Sequence, residues 1–196
     1  MKKYLGFLIA SFLIVGASCS KQGNADIETN DLTAQVLQLK TTEAQRITFA
    51  EILTPSQKNQ VWQSRINKMI KENTLTDIQK GLMLELKQKL NITIFESNSK
   101  RDEFMSSFVL DWQKRAIPVI GYDLLFKYLA NIDDVQTKES LAARSGCNCN
   151  STSSFSCIGR NECDNPACNS SDSGCGFLWL YECNGRCTLS GGPKTL

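Results

Sequence analysis

Apolar residues between positions 31 and 130 recur at the spacing of one face of an α-helix. Thr54 is a suitable N-cap and Pro55 a suitable first helical residue, because the missing N–H of proline has no partner at that position. The residues after this start fall in adjacent pairs four positions apart: Val61, Trp62, Arg65, Ile66, Met69 and Ile70. This pattern predicts an amphipathic helix with one buried face.

Further series of apolar residues at helical spacing predict three more helices in the same region. Thr76 and Gln79 can cap a helix whose apolar positions are Ile78, Leu82, Leu86 and Leu90. The next helix has a stripe of Phe104, Phe108 and Trp112 and should end before Pro118. A last helix is predicted from Val119 to Leu129. Residues 31–130 are therefore predicted to form a helical bundle, with these stripes as its core.

The composition changes completely after residue 146. Residues 147–196 are rich in Ser, Asn and Gly, and they hold eight of the nine cysteines: Cys147, Cys149, Cys157, Cys163, Cys168, Cys175, Cys183 and Cys187. Such a segment buries little apolar surface, so covalent cross-links must offset its ordering entropy. The predicted fold class is mainly α, with a helical bundle followed by a small disulfide-rich C-terminal domain. Residues 131–146 are polar and are predicted to link the two.

Metal binding is the alternative use of these cysteines. Structural zinc sites usually place their ligands in two separated pairs, a spacing that this segment lacks, and the chain contains no histidine. There is also no CxxC redox motif. Disulfides are therefore predicted, with no metal and no cofactor. Cys147 and Cys149 are too close to bond to each other without strain, and the sequence does not choose among the remaining pairings.

One apolar run, residues 176–181, interrupts the polar composition of this segment. If it forms a strand, Phe177, Trp179 and Tyr181 share one face with the two neighbouring cysteines. Two interpretations remain open. The aromatic side chains form the core of the small domain, or they form an exposed contact surface for a membrane or a protein partner.

The first residues resemble a bacterial export signal. Lys2 and Lys3 precede an apolar run that is too short to span a membrane, and small residues follow at positions 16–18. Residues 1–18 are predicted to be a signal peptide of the lipoprotein type, with Cys19 as the lipidated first residue of the mature chain. Ordinary cleavage near Ala17, which would leave Cys19 as a free thiol, is the alternative. Residues 20–30 are polar and aperiodic, and are predicted to be a tether.

Charge and residue types argue against two classes of function. The chain has 22 basic and 20 acidic residues, and removal of two lysines with the signal would leave it formally neutral. Neutrality gives no electrostatic reason to expect nucleic acid as a partner. Without histidine, a nucleophile motif or a phosphate-binding loop, the chain is predicted not to be an enzyme. Arg144 in the linker suits processing by a protease, and an uncut exposed linker is the alternative.

The cysteine pattern resembles that of the fulvocin C-related bacteriocin family. It comprises Cys147-Asn148-Cys149, then Cys175-Gly176, then Cys183-Asn184-Gly185-Arg186-Cys187. The preceding helical region, with Arg46, Leu53-Thr54-Pro55-Ser56, Lys58 and Trp62, is also similar to that of such proteins. Fulvocin C is a small, disulfide-rich, secreted antibacterial polypeptide. The resemblance implies an exported antibacterial domain carried behind a helical region, and it implies no catalytic residues.

Two functions follow as expectations. The first is an exported bacteriocin-like antibacterial protein, or its precursor, that acts through a four-disulfide C-terminal domain on the envelope of a target cell. The second is a cell-envelope lipoprotein, anchored by lipid on Cys19, whose cysteine-rich domain is a non-toxic binding module. Both place the protein outside the cytoplasm, in the outer membrane or at the surface, with release of the C-terminal domain in the first case.

Overall fold

The computed structural model describes residues 34–39, 41–132, 147–157, 162–164, 168 and 171–188, with no side-chain placement for residues 171–173. The predicted signal peptide, Cys19, the tether and the processing residue Arg144 lie outside the described residues. So do positions 133–146, which are most of the predicted linker.

The helical region follows a single helical turn at residues 34–38. Its helices are α1 (Thr42–Ile47), α2 (Pro55–Glu72), α3 (Asp77–Lys89), α4 (Asn98–Phe104), α5 (Leu110–Ile120) and α6 (Tyr122–Leu129). A π-helical turn, Thr48–Ile52, extends α1, and another, Met105–Val109, joins α4 to α5. A 3₁₀ turn, Ile92–Phe95, follows α3. The predicted helical bundle is confirmed. Among the described helices, none is both long enough and apolar enough to cross a membrane.

The predicted starts of α2 and α3 are confirmed by their caps. The Thr54 hydroxyl accepts from the backbone N–H of Gln57, whose side chain accepts in return from the backbone of Thr54. Thr76 and Gln79 form the same reciprocal pair at the start of α3. Each capping box satisfies two backbone donors that a helix end would otherwise leave without partners.

The predicted helix end before Pro118 is wrong. Helix α5 continues through Pro118 to Ile120, and Gly121 then breaks the chain with a φ of 95°. Proline lacks one backbone donor, but only a single hydrogen bond is lost when it lies in the last turn. Glycine adopts this positive φ at little cost, so the boundary between α5 and α6 falls at Gly121 instead.

Arg65 on α2 holds the end of helix α6. Its buried guanidinium donates to the carbonyls of Lys127 and Asn131, both at 3.0 Å. It also lies 4.5 Å from the centre of the Tyr128 ring. Backbone carbonyls at a helix C-terminus carry partial negative charge, so a cation there is stabilising.

The cysteine-rich region forms two small antiparallel sheets. Strand β1 (Glu162–Asp164) pairs with β4 (Arg186–Thr188), and β2 (Ser171–Cys175) pairs with β3 (Tyr181–Cys183). Four disulfides join Cys147–Cys168, Cys149–Cys163, Cys157–Cys187 and Cys175–Cys183. All eight predicted cysteines are thus paired, and every bridge closes within this region.

The two regions, which the sequence predicts as separate domains, share one hydrophobic core. That core combines residues of the helices with Phe155, Phe177, Leu178, Trp179 and Leu180 of the cysteine-rich region. At its centre, the Trp179 ring packs edge to face with the rings of Phe49 and Trp62. The disulfide-rich region therefore completes the helical core and does not build one of its own.

Candidate functional site

The candidate site is the apolar loop, residues 176–181, together with the helical surface that receives it. Strands β2 and β3 flank the loop, and the Cys175–Cys183 disulfide closes it with both cysteines buried. Phe177–Trp179 form a 3₁₀ turn, in which Leu178 and Trp179 both have a φ of 52°. A strand through these residues, the condition for Phe177, Trp179 and Tyr181 to share one face, does not form, because backbone with positive φ does not continue a strand. The turn lets the chain reverse direction within the space that the disulfide allows.

Gly176 allows the loop to start its turn against the polypeptide that precedes β1. Its φ is 71°, and a Cβ atom at this position would overlap the Ser153 hydroxyl. That hydroxyl accepts from the backbone N–H of Phe177 at 3.1 Å. A larger residue at position 176 would therefore disturb both the backbone and this hydrogen bond.

The socket is the surface of the helical region that surrounds the loop and the neighbouring Phe155, and it consists of Arg46, Phe49, Trp62, Arg101, Trp112, Tyr122 and Ala130. Trp179 contacts it most extensively. The centre of its ring lies 5.4 Å from that of Phe49 and 5.9 Å from that of Trp62, in both cases edge to face. Its indole N–H donates to the carbonyl of Ala130 at 2.8 Å. This satisfies the one polar atom of a side chain that is only 1% exposed.

Phe177 enters the socket on a second side. Its ring centre lies 6.1 Å from the Trp112 ring of α5 and 5.7 Å from Phe155. Phe155 stacks in turn on Tyr122 of α6, with 5.3 Å between ring centres. Two aromatic residues of the cysteine-rich region therefore extend the aromatic packing of the helices.

The predicted exposed contact surface is wrong for the intact chain. Phe177 and Trp179 are 0% and 1% exposed, because the helices cover them. Tyr181 is half-buried at the rim of the socket, and its ring lies 5.6 Å from the guanidinium of Arg101. The alternative prediction, a core of the small domain alone, is also incomplete, because the aromatic partners come mostly from the helices.

Hydrogen bonds cross between the two regions around the socket. The Tyr122 hydroxyl donates to the carbonyl of Cys157 at 2.9 Å, and the Ser154 hydroxyl donates to the side-chain oxygen of Gln113 at 2.8 Å. Arg101 donates to the carbonyl of Leu180 at 3.3 Å. Burial, with a smaller contribution from Asp123, raises the pKa of Tyr122 and so keeps its hydroxyl protonated as a donor.

The sulfur atoms of Cys149, Cys157 and Cys163 lie within 4.8 Å of one another, a grouping that could suggest a metal site. Each of them is already in a disulfide, either Cys149–Cys163 or Cys157–Cys187. A disulfide sulfur is not a thiolate, and thiolates are the form that binds zinc. The grouping therefore reflects two stacked bridges.

A polar cleft of about 390 Å³ lies beside the socket, and Tyr122, Ser151, Ser154, Glu162 and Asp164 line part of it. Most of its hydroxyls already have partners within the protein. The Ser154 hydroxyl donates to Gln113, and the carboxylate of Asp164 accepts from Thr188 at 2.6 Å. Its polar groups thus stabilise the cysteine-rich region and its contacts with the helices.

Trp62 and Trp112 were predicted as core residues of the helices, but their contacts with the apolar loop were not predicted. Phe49 lies in the π-helical turn after α1, where the helical periodicity is interrupted. Phe155 carried a usable signal, because it is a lone aromatic residue in a run of Ser, Thr and Asn. A single large apolar residue in so polar a segment indicates an anchor to a core elsewhere.

Comparison of the chain with protein-family models, curated proteins and solved structures found no match. The four disulfides are compatible with an exported protein, since such bonds persist in oxidising compartments.

Proposed function

We propose that this chain is an exported bacteriocin-like antibacterial protein in precursor form, with residues 147–196 as the antibacterial part. The observation that carries the proposal is the unequal distribution of cross-links and apolar side chains. All four disulfides lie within the cysteine-rich region, and that region nevertheless keeps its apolar loop inside the helical region.

This arrangement suits a masked toxin. A disulfide-rich polypeptide keeps its shape without a large core, so it can persist outside the cell. Its apolar loop would be the contact surface for the envelope of a target cell once the helices no longer cover it. In the precursor, the helices keep that surface away from the membranes of the producing cell. A cut within positions 133–146, with Arg144 as the proposed processing residue, would break the covalent link between the two regions without breaking a described disulfide.

The test is growth inhibition by the folded chain before and after a controlled cut. A protease recognition sequence replaces part of positions 136–143, and the oxidised protein is cut after folding. The uncut chain, the cut chain and the cysteine-rich piece separated from it are applied to a broad bacterial panel. We expect inhibition by the separated piece, and loss of inhibition when the same piece is reduced and alkylated. Inactivity of every form against the whole panel would refute the toxin.

The second candidate is a cell-envelope lipoprotein, anchored through lipid on Cys19 and present in the outer membrane or at the surface. The shared core favours it, because a chain that folds as one unit has no need to be cut. Neither candidate requires a catalytic step, a cofactor or a metal. Intact mass spectrometry of protein from cells and medium distinguishes the two candidates. A full-length, acylated chain confined to the envelope supports the lipoprotein, whereas a cut, disulfide-bonded piece in the medium supports the bacteriocin.

A further inference from the structure

The socket matches the loop in shape and in hydrogen bonding. It offers aromatic rings to Trp179 and Phe177 on two different sides of the loop. It also places the carbonyl of Ala130 where the Trp179 indole N–H needs an acceptor. Shape and one directed hydrogen bond together are what distinguish a binding site from a general apolar surface.

Disulfides restrict the conformations of the partner before it binds. The Cys175–Cys183 disulfide closes the loop independently of the helices, and the other three bridges hold the polypeptide around it. A partner with fewer accessible conformations loses less conformational entropy when it binds. The left-handed conformations of Leu178 and Trp179 persist because the surrounding packing determines them. The socket therefore stabilises the conformation that it recognises.

Among the described residues, every contact between the two regions is non-covalent. They comprise the aromatic packing, the Trp179 hydrogen bond and the polar contacts made by Tyr122, Gln113 and Arg101. A cut between the regions breaks none of these contacts. The polypeptide that links the two regions mainly raises the effective concentration of two surfaces that already fit each other.

We infer that the helical region is a binding site for the disulfide-closed loop of the cysteine-rich region, and that it keeps this partner bound after the chain between them is cut. The helical region is then the cognate inhibitor of the proposed toxin, and release of the toxin requires a second step after proteolysis. The inhibitor role and the release step rest on the proposed function, whereas the binding of the loop to the helical region does not depend on toxicity.

The experiment uses the folded, oxidised chain with the engineered cut within positions 136–143. Size-exclusion chromatography and native mass spectrometry at micromolar concentration should show both pieces in one complex, with the mass of the uncut protein plus the one water added by hydrolysis. Exchange of the bound cysteine-rich piece for an isotopically labelled copy gives the dissociation rate. Separate elution of the two pieces at micromolar concentration would overturn the inference.

A matched pair of variants tests whether the socket is responsible. Tyr122→Phe removes the hydroxyl that donates to Cys157 and keeps the ring, so the dissociation constant of the cut complex should rise about five- to tenfold. Tyr128→Phe removes a hydroxyl that accepts from Asn73 within the helical region, so it should leave that constant unchanged. Equal effects of the two variants would mean that they act through helix stability, and would contradict a specific socket.

Growth inhibition separates this inference from the proposed function. If the pieces stay bound and no form inhibits growth, the binding site stands and the toxin is refuted. If the pieces separate on cutting and the freed piece inhibits growth, the toxin stands and the inhibitor role is refuted.

Discussion

Replacement of Trp179 by alanine tests whether the two regions share one core. The side chain is 1% exposed and meets Phe49 and Trp62 edge to face. Truncation of a buried Trp to Ala lowers the free energy of unfolding by about 3–5 kcal/mol through lost burial and a residual cavity. The carbonyl of Ala130 also loses its indole donor, which costs about 1 kcal/mol more. We therefore expect a loss of about 4–6 kcal/mol.

The test is whether this loss of free energy of unfolding appears in the unfolding transition of the helices. Far-UV circular dichroism reports mainly the α-helices, none of which contains Trp179. For a chain of this size, a loss of 4 kcal/mol lowers the melting temperature by about 8–16 °C. If the core is shared, Trp179→Ala shifts the helical transition by that amount in the oxidised protein. Tyr181→Ala, at the half-buried rim of the same loop, is the control and should cost about 1 kcal/mol.

One result would refute the shared core. If Trp179→Ala leaves the helical transition within about 1 kcal/mol of the wild-type protein, the helices fold without the loop. Trp179→Phe refines the interpretation, because it keeps a ring but loses the bond to Ala130. Its loss should lie between those of the alanine variant and the wild-type protein, at about 1–3 kcal/mol.

Three further predictions concern single groups. Arg65→Lys should lower the free energy of unfolding by about 2–3 kcal/mol in urea denaturation, because one ammonium cannot reproduce the two buried guanidinium bonds; a loss below about 0.5 kcal/mol would contradict this. Since burial raises the pKa of Tyr122 above its ordinary value of 10.0, stability from this group is complete below pH 10 and declines as the pH rises further. Tyr122→Phe should therefore flatten the fall in stability above pH 10, and an unchanged pH profile would exclude the effect. Limited reduction followed by alkylation and peptide mapping should label Cys147 and Cys168 first, because both ends of that bridge are only half-buried; earlier labelling of the fully buried Cys175–Cys183 bridge would contradict the described burial.

The helices were predictable because their determinants are local. Two reciprocal caps, at Thr54 with Gln57 and Thr76 with Gln79, lie where the spacing of Ser, Thr and Gln residues indicates them. The four-residue apolar periodicity identifies which face is buried. The end of α5 was less predictable, since Pro118 is tolerated in a last turn and Gly121 supplies the break.

The conformation of the apolar loop could not be predicted from its residue types. A run of large apolar residues has the same composition whether it forms a strand or a turn. Positive φ usually falls on Gly or Asn, and here it falls on Leu178 and Trp179, which carry no such signal. Only the surrounding packing makes this conformation favourable.

The location of the loop depends on contacts between distant parts of the sequence. The partners of Trp179 are Phe49, Trp62 and Ala130, none of which is near it along the chain. Composition correctly indicated that the cysteine-rich region has little apolar surface of its own. It did not indicate that this small amount would be placed in the core of another region.

The shared core also determines when the protein can finish folding. The helical region is synthesised before the apolar loop, so Phe49, Trp62 and Trp112 form an incomplete core until Phe177 and Trp179 arrive. The closed conformation of the loop depends on the disulfide between Cys175 and Cys183. Reduction of a disulfide in one part of the chain should thus lower the protease resistance of α1–α6, none of which contains a cysteine.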